Sequence, residues 1–219
     1  MSEYSIDKFD EHLFRIRVPF EDLYTSVYAV KTDDGVALID TATYPSDADN
    51  YIIPALASLG VSPDGVSCIL LTHTHSDHAG GTERLAELCH NARVYAYGFL
   101  SLKASAESIN DGDVFLGVIK AMHLPGHTGD STAYLDMRTN TLLTGDCLQL
   151  FGVGKYTNGV GNPTAYSKSI ERLRTAMVDR IVAAHEYEPL GSVAEGSLSV
   201  GKYLDLCIAA ISDKVKKSN

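Results

Sequence analysis

Short runs of apolar and aromatic residues alternate with turn-forming residues over the first forty positions of the chain. The runs HLFRIRV (12–18), SVYAV (26–30) and VALID (36–40) are rich in β-branched and aromatic side chains, which favour strands. The segment KTDDG, between the second and third runs, is typical of a turn. The pattern therefore predicts three strands in this part of the chain.

The apolar spacing becomes helical over residues 46–59, where Ile52, Leu56 and Leu59 fall on one face. Gly60 is placed to end this helix, and Pro54 predicts either a kink or a later helix start. A nearly continuous apolar run then follows, VSCILLT (66–72), which is typical of a strand buried on both faces.

The remainder of the chain continues this alternation of helices and strands. Its predicted elements are a helix through Leu85, Leu88 and Cys89, strands within RVYAY, GVIKAMHL, STAYLDM, TLLTGD and RIVAA, a helix opened by Asn162 and Pro163 with Tyr166, Ile170, Leu173 and Met177 on one face, and a terminal helix marked by Leu204, Ile208, Ile211 and Val215. Strands come in runs within each half, with helices between them, which predicts an α+β fold of two mixed sheets packed together with helices outside. Because we find no internal repeat and no linker-like tract, we expect a single domain over residues 1–219.

The net charge of −10 argues against a nucleic-acid partner, because binding to a phosphate backbone requires a basic surface. No run approaches the roughly 18 consecutive apolar residues of a membrane span, so no membrane partner is expected either. The first residues lack the basic start and apolar stretch of a signal peptide, which predicts a cytoplasmic protein. The sequence indicates no oligomeric state.

The segment LLTHTHSDHAGG (70–81) places three of the eight histidines beside an aspartate, directly after the predicted buried strand. In an extended backbone the side chains of residues i and i+2 point the same way, so His73 and His75 can bind one ion from one side. Asp77 and His78 would project from the first turn of a following helix, close enough for a second ion. Imidazole and carboxylate ligands suit zinc. The alternative, a polar helix start capped by Asp77, does not account for three histidines at this spacing.

Three later residues also stand at the ends of apolar runs. His127 lies in LPGHTGDS, Asp146 in TLLTGDCL and His185 in IVAAHEYEP. Each signal is weak alone, because single histidines and Gly-Asp pairs are common in surface turns. Together they are what a site on one rim of a sheet requires.

The order HTHSDH, GHT, GD and HE resembles the metallo-β-lactamase superfamily of metal-dependent hydrolases, over roughly residues 36–187. The resemblance implies a four-layer αββα sandwich of two mixed β-sheets flanked by helices, with two divalent metal ions at one edge. Zinc is the favoured metal, with iron and manganese as alternatives. The implied ligands are His73, His75 and His127 for the first ion, Asp77, His78 and His185 for the second, and Asp146 bridging both.

Asp40, which ends VALID, matches a family aspartate that supports the metal ligands by hydrogen bonding, although a strand-terminal turn residue is an alternative interpretation. Two ions of this kind lower the pKa of a water held between them from 15.7 toward about 7, which gives a hydroxide nucleophile at neutral pH. Asp77 or Asp146 would relay its proton. The resemblance therefore implies hydrolysis of an ester, thioester or lactone-type bond in a small-molecule substrate.

Within the superfamily, TGDCLQLFGVGKYTNG is similar to the glyoxalase II branch, thioesterases that cleave S-lactoylglutathione. Lys155 and Tyr156 match positions that contact the glutathione part there, which would suit an anionic substrate. A plain surface loop is an equal alternative for both residues. Two features depart from that branch: only 34 residues follow His185, where the branch adds a helical domain, and EYEPLG lacks the expected continuation.

A rival function comes from the same superfamily. Persulfide dioxygenases resemble this pattern and use a single iron held at positions matching His73, His127 and Asp146. The sequence does not separate this mononuclear-iron oxidoreductase from the hydrolase, whereas the metal content of the purified protein would.

Overall fold

The computed structural model describes residues 4–98, 106–148, 160–186 and 191–217. The chain divides into two compact units. The first comprises residues 1–110 with 114–117, and the second comprises residues 111–113 with 118–219.

The first unit contains a seven-stranded sheet in which the strands lie in chain order, from β1 to β7. Strands β1 to β4 pair antiparallel, whereas β4 to β7 pair parallel, so the sheet is mixed. The two-residue strand β8, Val114–Phe115, follows along the chain. The seven strands are β1 Ser5–Lys8, β2 Leu13–Phe20, β3 Leu23–Thr32, β4 Gly35–Ile39, β5 Val66–Leu70, β6 Arg93–Tyr97 and β7 Ala106–Ile109.

The helical segment predicted over residues 46–59 is irregular at its centre. Helix α1, Pro45–Asp47, leads into a π-helical turn, Ala48–Ile52, and then into α2, Ile53–Ser58. Pro54 has no N–H to continue the regular α-helical pattern, which explains the widened turn directly before it. Gly60, at φ +72°, ends the segment as predicted.

Three further short helices follow in this unit: a 3₁₀ turn at Pro63–Gly65, α3 at Ser76–Ala79 and α4 at Thr82–Leu88. Apolar side chains of the helices and of the sheet form one core, which includes Leu38 and Ile69 from strands and Ile52, Leu56 and Leu85 from helical segments. Strand β5 is buried almost throughout, as its continuous apolar run predicts.

The second unit contains strands in the order β13-β12-β11-β10-β9. The β11–β12 pair is parallel and the other pairs are antiparallel, so this sheet is also mixed. Helix α6 packs against α5 and against strands β12 and β13. The elements are β9 Ile119–His123, β10 Thr132–Asp136, β11 Thr141–Leu143, α5 Pro163–Thr175, β12 Arg180–Val182, β13 Val193–Glu195 and α6 Ser197–Lys217.

Helix α5 begins as predicted, because the Asn162 side chain accepts a hydrogen bond from the backbone N–H of Ala165. Its predicted apolar face is correct for Tyr166, Ile170 and Leu173, which are all buried. The assignment of Met177 to that face is wrong. The helix ends at Thr175, two residues earlier, and the Met177 side chain is 81% exposed.

The terminal helix is present, and Leu204 and Ile211 are buried on it while Ile208 is half-buried. The Val215 side chain lies outside the part of the chain whose side chains are described. Each sheet is mixed and each unit carries helices, in agreement with the predicted fold class. The single domain stays a prediction. Among the described helices, none has the length and apolar character that a membrane crossing requires.

Candidate metal-binding site

His73 and His75 follow the end of β5, where the chain leaves the core in extended form. The His73 side chain is buried and that of His75 is exposed. Despite this difference, Nε2 of His73 lies 3.1 Å from Nδ1 of His75. The two histidines therefore turn ring nitrogens toward the same point, as their i and i+2 spacing predicts.

Helix α3 brings two more donors to this end of β5. His75 is the residue before the helix, and Asp77 and His78 lie in its single turn. Nε2 of His78 lies 3.5 Å from Oδ2 of Asp77, and the His78 ring centroid is 4.2 Å from that of His73. Four side chains with metal-binding atoms thus converge within six residues of sequence.

Asp40 supports this cluster from the end of the neighbouring strand β4. It is fully buried, and Oδ1 accepts a hydrogen bond from the Thr72 backbone N–H at 2.8 Å. Oδ2 accepts from the Thr72 hydroxyl at 2.8 Å and lies 2.7 Å from Nδ1 of His78. Because a carboxylate only accepts, it favours the His78 tautomer with the proton on Nδ1 and a lone pair on Nε2.

The two glycines of HAGG explain how α3 can lie so close to the turn after β4. A Cβ atom at Gly80 would overlap the carbonyl oxygen of Thr43, and one at Gly81 would overlap that of Thr41. The Thr41 hydroxyl also donates to the carbonyl oxygen of His78 at 2.9 Å. The absence of side chains at both glycines therefore lets the backbone carrying His78 approach Asp40.

The second unit supplies three further donors at the ends of its strands. His127, Asp146 and His185 are all buried, with at most 8% of each residue exposed. Nε2 of His127 lies 3.6 Å from Oδ2 of Asp146, and Nε2 of His185 lies 3.4 Å from Oδ1. The two carboxylate oxygens thus face different imidazoles, an arrangement that suits a carboxylate shared between two ions.

Local backbone hydrogen bonds fix Asp146 and His185 relative to each other. Gly145 adopts φ +50°, and the backbone N–H of Cys147 donates to the Thr144 carbonyl at 2.9 Å, which closes a turn after β11. The backbone N–H of Ala184 donates to the Gly145 carbonyl at 3.3 Å. Because β11 and β12 are parallel neighbours, their carboxyl ends meet at one edge and bring the two side chains together.

The separations of these atoms fit a metal ligand set. Four ligands held tetrahedrally at about 2.0–2.1 Å from an ion lie about 3.3 Å from one another. The closest donor pairs within each unit lie 3.1, 3.5, 3.6 and 3.4 Å apart. Five imidazoles and two carboxylates, mostly buried, are also the donor types that divalent transition metals prefer.

All seven predicted ligands and Asp40 lie in described residues, and the structure brings the predicted ligands together within each unit. Lys155 and Tyr156 lie outside the described residues. Thr72 takes part in the site although the sequence did not single it out. A threonine that ends an apolar run directly before a histidine motif is the signal that could have identified it.

Comparisons with known proteins agree with the motifs. Residues 21–102 match the family model described as the metallo-beta-lactamase superfamily. A hydroxyacylglutathione hydrolase of Pseudomonas paraeruginosa is 33% identical over 174 residues, which cover 77% of this chain and 63% of that protein. A cytoplasmic hydroxyacylglutathione hydrolase of Arabidopsis thaliana is 26% identical over 175 residues, covering 76% of this chain and 65% of that protein.

Solved structures show the same fold at low sequence identity. A metallo-beta-lactamase family protein from Thermus thermophilus has a TM-score of 0.75 at 20% identity, covering 96% of this chain and 82% of that chain. A B3 metallo-beta-lactamase with an active site glutamic acid has a TM-score of 0.72 at 20% identity, covering 97% of this chain and 91% of that chain. The predicted metallo-β-lactamase fold, two mixed sheets with flanking helices, is therefore confirmed.

The motifs, the match of residues 21–102 to the family model and the curated relatives agree, so the resemblance to the metallo-beta-lactamase superfamily is confirmed. Its curated relatives are hydroxyacylglutathione hydrolases, the glyoxalase II branch that the motifs resemble. The chain spans just under two thirds of the length of these relatives.

Proposed function

We propose that the chain is a metal-dependent hydrolase that acts on a thioester of the hydroxyacylglutathione type. The observation that carries this proposal is the arrangement of Asp146, whose two oxygens face His127 and His185 at 3.6 and 3.4 Å. Two imidazoles near different oxygens of one buried carboxylate suit a pair of divalent ions, which we propose to be zinc. In keeping with the superfamily resemblance, all seven ligands would take part, namely His73, His75, Asp77, His78, His127, Asp146 and His185.

Divalent ions in such a set lower the pKa of a coordinated water and polarise a scissile carbonyl. The protein's own contribution is to hold the imidazoles in the correct tautomer and to accept a proton. Asp40 holds His78 with its proton on Nδ1 through a contact of 2.7 Å. Asp77 is partly exposed whereas Asp146 is buried, so we assign acceptance of the proton from the attacking water to Asp77.

The substrate class rests on the relatives, whose name describes hydrolysis of hydroxyacylglutathione. Lys155 and Tyr156 are the proposed contacts to the distal, anionic part of that substrate. We also propose a cytoplasmic location, which the name of the Arabidopsis relative supports.

The decisive experiment measures metal content and thioester hydrolysis on the same preparation. We expect close to two divalent ions per chain by inductively coupled plasma spectrometry, and hydrolysis of S-lactoylglutathione that is lost on chelation and restored by Zn²⁺. Asp146→Asn is the test variant, because it retains the shape of the side chain but removes its charge. Asp136→Asn is a matched control, because Asp136 is also buried in this unit but pairs with Arg138.

Two results would contradict the proposal. One is the absence of metal after expression in metal-supplemented medium. The other is a single iron with persulfide oxidation and no thioester hydrolysis, which would identify the mononuclear oxidoreductase instead.

A further inference from the structure

The loop that carries His127 is bound along its backbone by helix α5 and by the turn that precedes this helix. We define the His127 loop as residues 124–131. The backbone N–H of Gly161 donates to the His127 carbonyl at 3.2 Å, and that of Asn162 donates to the Gly126 carbonyl at 2.8 Å. Asn162 is also the residue that caps α5, so the start of the helix and the position of the loop are fixed together.

Two side chains further along α5 bind the same stretch of backbone. The Ser169 hydroxyl donates to the Pro125 carbonyl at 2.8 Å, and Nη1 of Arg172 donates to the His123 carbonyl at 2.9 Å. Ser169 is 5% exposed, so its hydrogen bond is shielded from competing water. These contacts supply hydrogen-bond partners to the carbonyl of His123, the last residue of β9, and to that of Pro125, two residues further along the chain.

The loop also lies in direct contact with the helix backbone. A Cβ atom at Gly126 would lie 2.5 Å from Cα of Tyr166, closer than non-bonded carbon atoms approach. Gly126 is at φ +154°, a conformation that side chains disfavour. The glycine before His127 therefore permits the close approach that brings the loop carbonyls within reach of Ser169.

Arg172 is itself fixed by a second contact at the end of β9. Its Nη2 lies 2.9 Å from Oδ1 of Asp111, and this same oxygen accepts the backbone N–H of His123 at 2.9 Å. Partial burial acts to raise the pKa of Asp111, but the hydrogen bonds from His123 and Arg172 hold it below its usual value. A closed set of contacts directly before the loop thus joins Arg172, Asp111 and the backbone of His123.

We propose that Ser169 and Arg172 are positioning residues for His127, and this inference rests on the proposed metal-binding function. They act on the peptide groups that set the direction of the His127 side chain and have no reactive role. Groups that hydrogen-bond directly to a metal ligand typically contribute about 10- to 100-fold in metal affinity, and Ser169 and Arg172, which act through neighbouring peptide groups, should fall at the lower end of that range. The proposal therefore extends the determinants of the metal site to a helix that carries none of the ligands.

The chain offers a matched control for each test variant. Ser169→Ala removes the bond to the loop, whereas Ser167→Ala removes a bond from an exposed hydroxyl to Pro163 within α5 itself. Arg172→Met removes the contact with the His123 carbonyl, directly before the loop, whereas Arg174→Met removes ion pairs with Asp205 and Glu171.

We expect chelator competition with Zn²⁺ to show metal affinity lowered about 10-fold in Ser169→Ala and Arg172→Met, and unchanged in both controls. Ser169→Thr, which retains the hydroxyl, should restore the affinity. If Ser169→Ala and Ser167→Ala have equal melting temperatures, a general loss of stability cannot explain a lower metal affinity in Ser169→Ala alone. Equal affinities in all the variants would overturn the proposal.

Hydrogen exchange of the metal-free protein gives a second measurement that does not depend on bound metal. The amides of Leu124, Gly126 and Thr128 bond within the loop, and we expect their exchange to be faster in Ser169→Ala than in Ser167→Ala. If the wild-type chain binds no metal, the proposed function fails. If, in addition, the loop amides exchange at the same rate in Ser169→Ala and Ser167→Ala, the positioning role fails as well. If the wild-type chain binds metal and the two variants have the same metal affinity and the same exchange rates, only the positioning role is contradicted.

Discussion

Asp40 shows how a single residue holds the first part of the site in place. It adopts φ +64°, a left-handed conformation that is unfavourable for residues with side chains. Its carboxylate makes close contacts with the Thr72 N–H, the Thr72 hydroxyl and the His78 ring. Because such strain persists only where surrounding contacts enforce it, the three contacts account for an otherwise costly backbone.

We predict that Asp40→Asn weakens metal binding about 10- to 100-fold while the protein remains folded. Asparagine tolerates the left-handed backbone, but an amide NH₂ turned toward Nδ1 of His78 would favour the tautomer that places the proton on Nε2. Zinc titration against a chelator is the measurement. Asp47→Asn is the control, since Asp47 is another buried carboxylate, which accepts the backbone N–H of Tyr44 and touches no histidine described here. Equal affinity in the two variants would show that Asp40 does not orient His78.

At the scale of elements, the edge of the first sheet depends on one charged cluster. Asp7 on β1 lies directly opposite Arg15 on β2. Its Oδ2 accepts from Nε of Arg15 and from Nε of Arg17, both at 2.7 Å. Arg15 is only 2% exposed, and its guanidinium carbon lies 5.4 Å from the Phe9 ring centroid. The short strand β1 is therefore attached to the sheet by ion pairs as well as by backbone hydrogen bonds.

We predict that Asp7→Asn lowers the free energy of unfolding by about 1 kcal/mol at neutral pH, since a bond to a charged acceptor is stronger than one to a neutral acceptor. Partial burial acts to raise the pKa of Asp7, but the two arginines hold it below its ordinary value of 3.8. The stabilisation is therefore complete above the unfolded-state pKa and is lost as the pH falls through the lower folded-state pKa.

Urea unfolding at a series of pH values is the measurement. The difference between wild type and Asp7→Asn should be constant from neutral pH down to about 4 and should disappear below that value. Asp33→Asn, in the exposed turn between β3 and β4, is the control. A difference that does not change with pH would mean that the lost contact is not ionic.

The elements differ in how far the sequence determines them. Runs such as residues 66–72 carry enough apolar, β-branched side chains to predict a buried strand, and the Asn162–Pro163 pair correctly predicts the start of α5. The strands β1, β7 and β13 were not predicted, because SIDK, AESI and VAE are short and contain charged residues, whereas the equally short β11 and β12 lie in apolar runs. Met177 was assigned wrongly because apolar spacing continues beyond the last helical residue.

The site shows the same division between local and distant information. The seven proposed ligands and Asp40 could be named from the sequence, because each lies in a short motif that resembles one of the superfamily. The contacts of Ser169 and Arg172 could not be predicted, because they join residues 44 and 49 positions apart. Nothing in SKSIERLR distinguishes Ser169 from Ser167, yet one hydroxyl bonds to the His127 loop and the other to its own helix.

At the scale of the whole molecule, metal binding and folding should be linked. The proposed ligands are spread along the chain from His73 to His185, so an unfolded chain does not hold them together. An ion that binds only the folded state stabilises it by mass action. Without a metal ion, the folded protein also bears the free-energy cost of burying imidazoles and carboxylates that have no cation between them.

We predict that removal of metal lowers the melting temperature, and that the loss is reversible. Free Zn²⁺ at about a thousand times its dissociation constant contributes about 4 kcal/mol, which corresponds to about 10 °C for a chain of this size. Calorimetry of chelated and re-metallated protein is the measurement. Zn²⁺ should produce little or no such shift in Asp146→Ala, which lacks the carboxylate shared by His127 and His185. If the wild-type melting temperature is the same with and without Zn²⁺, the seven side chains do not form a metal site in the folded protein.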